Sequence, residues 1–171
     1  AIRPFAILGN LFYFSAYTPS YGWELWQSDG TSAGTGLAKD LVSGPESASP
    51  RGFLATPHFV YFTVDQKTGP DEVWRTDGTN EGTYKLADGR TDEAAAVGDT
   101  LFFNNCCATG DSELWQSDGT PAGTHLVKDI HPGPEPSAPK EMVAFGNKVY
   151  FFAQDGQHGD ELWVSDGTTE G

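Results

Sequence analysis

Carboxylates recur along this 171-residue chain in a fixed arrangement: Glu24 and Asp29, Glu72 and Asp77, Glu113 and Asp118, Glu161 and Asp166, each pair five residues apart. Hard cations such as Ca2+ take several carboxylate and carbonyl oxygens at once. Five residues of extended strand, however, hold the two groups of a pair too far apart for one ion. The densest local set of oxygens is Asp155-Gly156-Gln157-His158-Gly159-Asp160-Glu161. There Asp155, Asp160 and Glu161 are the candidate calcium ligands, with a solvated turn as the alternative. A second chemistry is sugar binding, which uses aromatic platforms beside a few polar groups. Tyr17, Tyr21 and Trp23 put three aromatics within seven residues, and they are the candidate glycan-binding residues; a packed loop or a contact with another chain is the plainer reading. The adjacent pair Cys106-Cys107 leaves three readings open: a vicinal disulfide, two free thiols, or a link to another chain. Catalysis has little to stand on. His58, His125, His131 and His158 show no metal-ligand spacing, and the chain has no serine elbow, phosphate loop or CxxC. The expectation is a protein that is not an enzyme.

What must position these groups is a repeat. Glu24-Leu25-Trp26-Gln27-Ser28-Asp29-Gly30-Thr31, closed by Gly34-Thr35, returns around Trp74, Trp115 and Trp163. A turn dipeptide ends 16 residues before each tryptophan: Gly9-Asn10, Pro57-His58, Gly98-Asp99 and Gly146-Asn147. An apolar run follows it, such as Leu11-Phe12-Tyr13-Phe14 or Phe59-Val60-Tyr61-Phe62. Each copy therefore spells four antiparallel strands, in the first copy residues 3–8, 11–16, 23–28 and about 35–41. The second strand is apolar at consecutive positions, so both of its faces must be covered. Four-stranded units packed face to face around an axis are the blades of a β-propeller. The predicted fold is all-β, a single repeat domain over residues 1–171 with blades near 1–42, 50–89, 90–131 and 139–171.

Successive tryptophans are 48, 41 and 48 residues apart, so the full period is 89 residues. The difference lies in the connection to the next blade, which is long and proline-rich at 43–50 and again at 132–139. Aligning Gly171 on Gly82 leaves the fourth blade no counterpart of Thr83 to Gly89, its last strand. An unpaired strand edge invites pairing: a protein partner or self-association through that open edge is expected, with continuation of a longer parent into more repeats as the alternative. Trp26, Trp74, Trp115 and Trp163 are expected to bury their rings between blades. Asp29, Asp77, Asp118 and Asp166 are expected to accept backbone N–H groups in the Asp-Gly turn.

Composition narrows the partners. A net charge of −14 speaks against nucleic acid and anionic membranes, which select for Lys and Arg. No apolar run approaches the ~20 residues of a membrane helix, so membrane insertion is not expected. The chain begins without Met and shows no signal-like stretch, which points to a processed product of a longer parent.

Read in full, Glu-Leu-Trp-Gln-Ser-Asp-Gly-Thr with Gly-Thr and then Leu126-Val127-Lys128-Asp129-Ile130 resembles the repeat of the bacterial ELWxxDGT family. The resemblance spans all four copies. The second departs most, with Val73 for Leu and Tyr84-Lys85-Leu86-Ala87-Asp88 in the last strand. It implies an extracellular or cell-surface repeat protein with a propeller-like fold, and no characterised reaction. The expected function is a binding or assembly module. A carbohydrate-binding lectin built on Tyr17, Tyr21 and Trp23 and a fragment of a propeller hydrolase are the alternatives.

Overall fold

The computed structural model describes residues 4–105 and 112–171; Cys106 and Cys107 lie outside that set. All regular structure among the described residues is β, in four antiparallel sheets whose strands follow chain order. Blade one holds β1 (Phe5–Leu8), β2 (Leu11–Thr18), β3 (Gly22–Ser28) and β4 (Gly36–Lys39). Blade two holds β5 (Arg51–Ala55), β6 (Val60–Val64), β7 (Glu72–Thr76) and β8 (Tyr84–Asp88). Blade three holds β9 (Arg90–Val97), β10 (Thr100–Asn105), β11 (Glu113–Ser117) and β12 (His125–Lys128). Blade four has three strands, β13 (Lys140–Phe145), β14 (Lys148–Gln154) and β15 (Asp160–Ser165), and β15 is an edge. No helix among the described residues is long and apolar enough to cross a membrane.

The constant lead-in fixes the register. Each tryptophan of the repeat sits opposite an aromatic of the preceding strand: Trp26 opposite Phe14, Trp74 opposite Phe62, Trp115 opposite Phe103 and Trp163 opposite Phe151. The first strands of successive blades, β1, β5, β9 and β13, are neighbours, which places them on the inner side of the arc.

Three apolar clusters fill the spaces between consecutive blades. Tyr13 and Leu25 meet Phe53, Val60 and Phe62 between blades one and two. Leu54, Tyr61 and Val73 meet Ala94, Leu101 and Phe103 between two and three. Phe102 and Leu114 meet Met142, Val149 and Phe151 between three and four. Strand β6 is buried at every position, Val60 through Val64, as a strand sandwiched on both faces must be. Each fully buried side chain of this kind contributes about 1.5–3 kcal/mol. The end blades have a neighbour on one face only. Blade one leaves Phe5, Ile7 and Phe12 exposed, and blade four leaves Val143, Phe145 and Leu162 exposed. The blades form an open arc.

The tryptophans are less buried than the sequence leads one to expect. Trp74, Trp115 and Trp163 are partly buried against the cluster they share with the preceding blade. Trp26 belongs to none of the three clusters, because no blade precedes it within the chain.

Candidate functional site

The repeated Asp-Gly-Thr segments fold into one device. Asp29 Oδ1 accepts from the Thr31 N–H (2.9 Å) and the Thr31 hydroxyl (2.7 Å). The Thr31 hydroxyl in turn accepts from the Gly34 N–H (3.0 Å), and the Thr35 hydroxyl donates to the Thr31 carbonyl (2.6 Å). The same bonds recur about Asp77 and Asp118, and Asp166 repeats the first two. These N–H and O–H donors hold the Asp29 and Asp118 carboxyls below their usual range. The closing glycine is a matter of space: a Cβ at Gly34, Gly82 or Gly123 would overlap the carboxylate it faces. All four Asp side chains are thus engaged in their own turns.

The repeated glutamates part company. Glu24 is fully buried; its Oε2 accepts from the Leu41 N–H (2.7 Å) and its Oε1 from the Ala48 N–H (3.1 Å). Burial pushes its carboxyl up, against the pull of those donors. Glu113 does the same for Ile130 and Ser137, at 2.8 and 3.0 Å, with a third bond from the Ser137 hydroxyl. Both therefore clamp the long proline-rich connections. Glu72, where the connection is short, instead binds Lys85 Nζ (2.7 Å) and the Trp74 indole N–H (2.8 Å). Between blades two and three, Asp71 is nearly buried and accepts from Arg51 (2.9 Å) and Arg90 (2.6 Å). Burial raises the Asp71 carboxyl, and the two guanidiniums outweigh it and hold it below the usual range.

The candidate glycan residues converge in part. Tyr17 and Trp23 are directly paired across β2 and β3, their ring centroids 5.9 Å apart and tilted by 52°. Tyr21 lies in the intervening turn, its N–H directed at Thr18. All three rings are exposed. Trp23 is tied through its backbone to the 43–50 connection: its N–H donates to the Ser47 hydroxyl, and its carbonyl accepts from Ala48 and Ser49. The loop behind the pair is held by the Glu24 carboxylate.

The candidate metal residues regroup. Asp160 turns away to pair with Lys140 (2.6 Å). Asp155, His158 and Glu161 come together, each with a donor atom within 4.8 Å of the others. Asp155 is already engaged by His158 Nδ1 (2.9 Å) and by the N–H groups of Gln157 and His158. These bonds pull its carboxyl down to about 2 and push the His158 imidazole up. Two carboxylates and one imidazole suit a transition metal better than Ca2+, which takes about 6 to 8 oxygens; an ion would also have to displace the proton shared by His158 and Asp155.

Beside the edge strand β15 runs a groove of about 250 Å³. Leu114, Val127, Ile130, Phe151, Trp163 and Val164 supply its apolar lining, and Lys128, Ser165, Thr168, Glu170 and Gly171 complete it. In blades one to three this position beside the third strand is taken by a fourth, as in the pairing of Trp74 with Lys85 and Arg75 with Tyr84. A hollow on the inner side of the arc is lined by Leu54, Ala55, Ala95, Ala96, Met142, Val143 and Ala144, none of them titratable.

No protein-family model matches the sequence, and no curated protein matches it. Solved structures do match. The chain is similar to TolB from Acinetobacter baumannii, with a TM-score of 0.55 and 11% identity over 97% of this chain and 41% of that one. It is similar to a puromycin hydrolase S511A mutant complexed with PGG, with a TM-score of 0.59 and 14% identity over 96% of this chain and 27% of that one. It is also similar to the computationally designed Ika8 protein, with a TM-score of 0.51 and 18% identity over 99% and 47%. At such identities the likeness is one of fold, and the fold is that of a β-propeller. The chain spans less than half the length of each of the three.

Proposed function

We propose that this chain is a secreted or surface-exposed β-propeller module without catalytic activity, and that it works by assembly, taking an extended strand from a protein partner or a second copy along β15. The observation that carries this reading is the largely apolar groove beside β15, the edge strand of its sheet. Strand addition supplies main-chain hydrogen bonds for affinity and side-chain pockets for specificity. The repeated polar residues support the same reading: Asp29, Glu24 and their counterparts are engaged in turns and clamps. The acidity of the chain and its resemblance to a family of surface repeat proteins favour an extracellular place of work.

A synthetic peptide with the sequence of Thr83 to Gly89 tests the reading, since that segment is the fourth strand of blade two, one 89-residue period before the open position. Saturable binding, read by quenching or shift of Trp163 fluorescence and lost when proline replaces leucine in the peptide, is the expected result. No binding at ~1 mM, a binding free energy weaker than about −4 kcal/mol, contradicts it.

A second reading rests on the exposed Tyr17–Trp23 pair. Two adjoining aromatic faces suit the apolar face of a sugar ring, and the module then acts as a lectin.

A further inference from the structure

We infer that two copies of this chain pack head to tail, the outer face of blade four in one against the outer face of blade one in the next, and close a ring of eight blades. The inference deepens the assembly reading by naming a partner and a surface, and it uses the blade faces, not the β15 edge.

With a period of 89 residues, blade one is the counterpart of blade three and blade four the counterpart of blade two. The covered interface between blades two and three is therefore a template for the two uncovered faces. On the blade-three side it buries Ala94, Leu101 and Phe103, whose counterparts are Phe5, Phe12 and Phe14. On the blade-two side it buries Leu54, Tyr61 and Val73, whose counterparts are Val143, Tyr150 and Leu162. Every one of these counterparts is apolar or aromatic. Leu54 and Val73 are 4% and 0% exposed, whereas Val143 and Leu162 are 61% and 66% exposed; Phe5 is 51% exposed against 5% for Ala94. Patches of this kind on a soluble chain mark interaction sites.

Finer features of the template recur as well. The glycine after each repeat Asp has a positive φ, and its bare face receives a ring of the preceding blade. A Cβ at Gly78 would lie 2.9 Å from the Tyr13 hydroxyl, one at Gly119 would lie 3.1 Å from the Tyr61 hydroxyl, and one at Gly167 would lie 3.3 Å from Phe102. Gly30 faces nothing within 4 Å. Tyr150, the counterpart of Tyr61, is the ring left without such a glycine. In the template the Tyr61 hydroxyl donates to the Asp99 carbonyl (2.7 Å) and His58 binds the Asp99 carboxylate (2.6 Å). The counterparts of Asp99 and His58 are Asn10 and Asn147, two amides that can hydrogen-bond each other. Bulk is redistributed in the same sense. Blade one carries Phe5 and Ile7 where blade three has Ala94 and Ala96.

Stoichiometry follows from closure. Head-to-tail contacts make rings when the rotation closes, and propellers close with about 4 to 8 blades. The four blades leave both end faces exposed, so a ring made of copies of this 171-residue stretch holds two.

The test is light scattering on the 171-residue chain and two variants, Ile7→Glu on the blade-one face and Val143→Glu on the blade-four face. Both positions are about half exposed or more, and circular dichroism and thermal melting check that each variant keeps its fold; Leu162→Glu is a second probe of the blade-four face. The wild type is expected at twice its 18.4 kDa mass, each variant as a monomer, and an equal mixture of Ile7→Glu and Val143→Glu as a heterodimer. A wild type that is monomeric at ~100 µM, well above a ~µM Kd, overturns the inference. So does an Ile7→Glu variant that remains dimeric, which would mean that blade four pairs with itself. Binding of the strand peptide to the Ile7→Glu monomer is a separate readout, so failure of the ring and failure of the β15 reading are told apart.

Discussion

Removing the Glu24 carboxylate should release the connection behind the exposed aromatics. In Glu24→Ala, the Leu41 N–H loses its acceptor and the Ala48 N–H keeps only the Trp23 carbonyl, at a position wholly shielded from solvent. An orphaned buried donor costs about 1–3 kcal/mol and the loss of one of two shared bonds about 0.5–1.5 kcal/mol, together ~1.5–4.5 kcal/mol, a large part of the ~5–15 kcal/mol of a typical domain. Glu24→Gln keeps one oxygen and should cost less. The sign of the pH dependence separates the two effects. Burial raises the folded-state pKa of Glu24 above the ordinary 4.5 of a free glutamate, so the folded protein holds that proton more tightly than the unfolded chain. Ionisation of Glu24 therefore costs stability, fully so above the raised pKa, and acidification toward 4.5 relieves that cost. Glu24→Gln should abolish this component while leaving the opposite one from the depressed Asp carboxyls. Urea unfolding followed by tryptophan fluorescence across pH reads both, and limited proteolysis reads the 43–50 connection. A Glu24→Ala cost below ~0.5 kcal/mol, the scale of an ordinary surface substitution, together with an unchanged cleavage rate would refute the clamp.

Three further outcomes are expected. In the turn of blade three, Gly123→Ala should destabilise more in the wild type than in Asp118→Ala, because the Asp118 carboxylate occupies the space a Cβ needs; an additive double-mutant cycle would contradict this. His158 should titrate above the ordinary 6.5 of a free histidine, because Asp155 holds its proton. Its pairing with Asp155, whose carboxyl lies at about 2, stabilises the loop below pH 6.5 and is lost as pH rises through the folded imidazole pKa; an NMR titration of His158 that does not fall in Asp155→Asn would remove the pair. On a glycan array, binding by the wild type that disappears in Trp23→Ala supports the lectin reading, and no binding to any glycan ends it.

Much of the scaffold could be read from spacing, because a constant 16-residue interval between turn and tryptophan leaves one way to lay out β2 and β3, β6 and β7, β10 and β11, and β14 and β15. The three-stranded fourth blade followed from the same count. Burial was harder to read: Phe12 and Leu101 occupy equivalent positions in equally apolar strands, and only the presence of a neighbouring blade makes one exposed and the other buried. The glutamate clamps had a legible signal in the equal distance of 24 residues from Glu24 to Ala48 and from Glu113 to Ser137, in the two copies with long connections. In the 155–161 loop the positive-φ glycines Gly156 and Gly159 set which side chains converge, and turn Asp160 outward to Lys140 while His158 joins Asp155. Backbone reversals of that kind leave little trace in residue type.

Amide hydrogen exchange of β15 tests the assembly reading most directly. In the isolated chain, with the blade faces blocked by Ile7→Glu, the β15 amides directed away from β14 should exchange rapidly, and on addition of the Thr83–Gly89 peptide they should become protected while those of β13 are unchanged. Rapid exchange at β15 that persists with the peptide in excess would contradict the account.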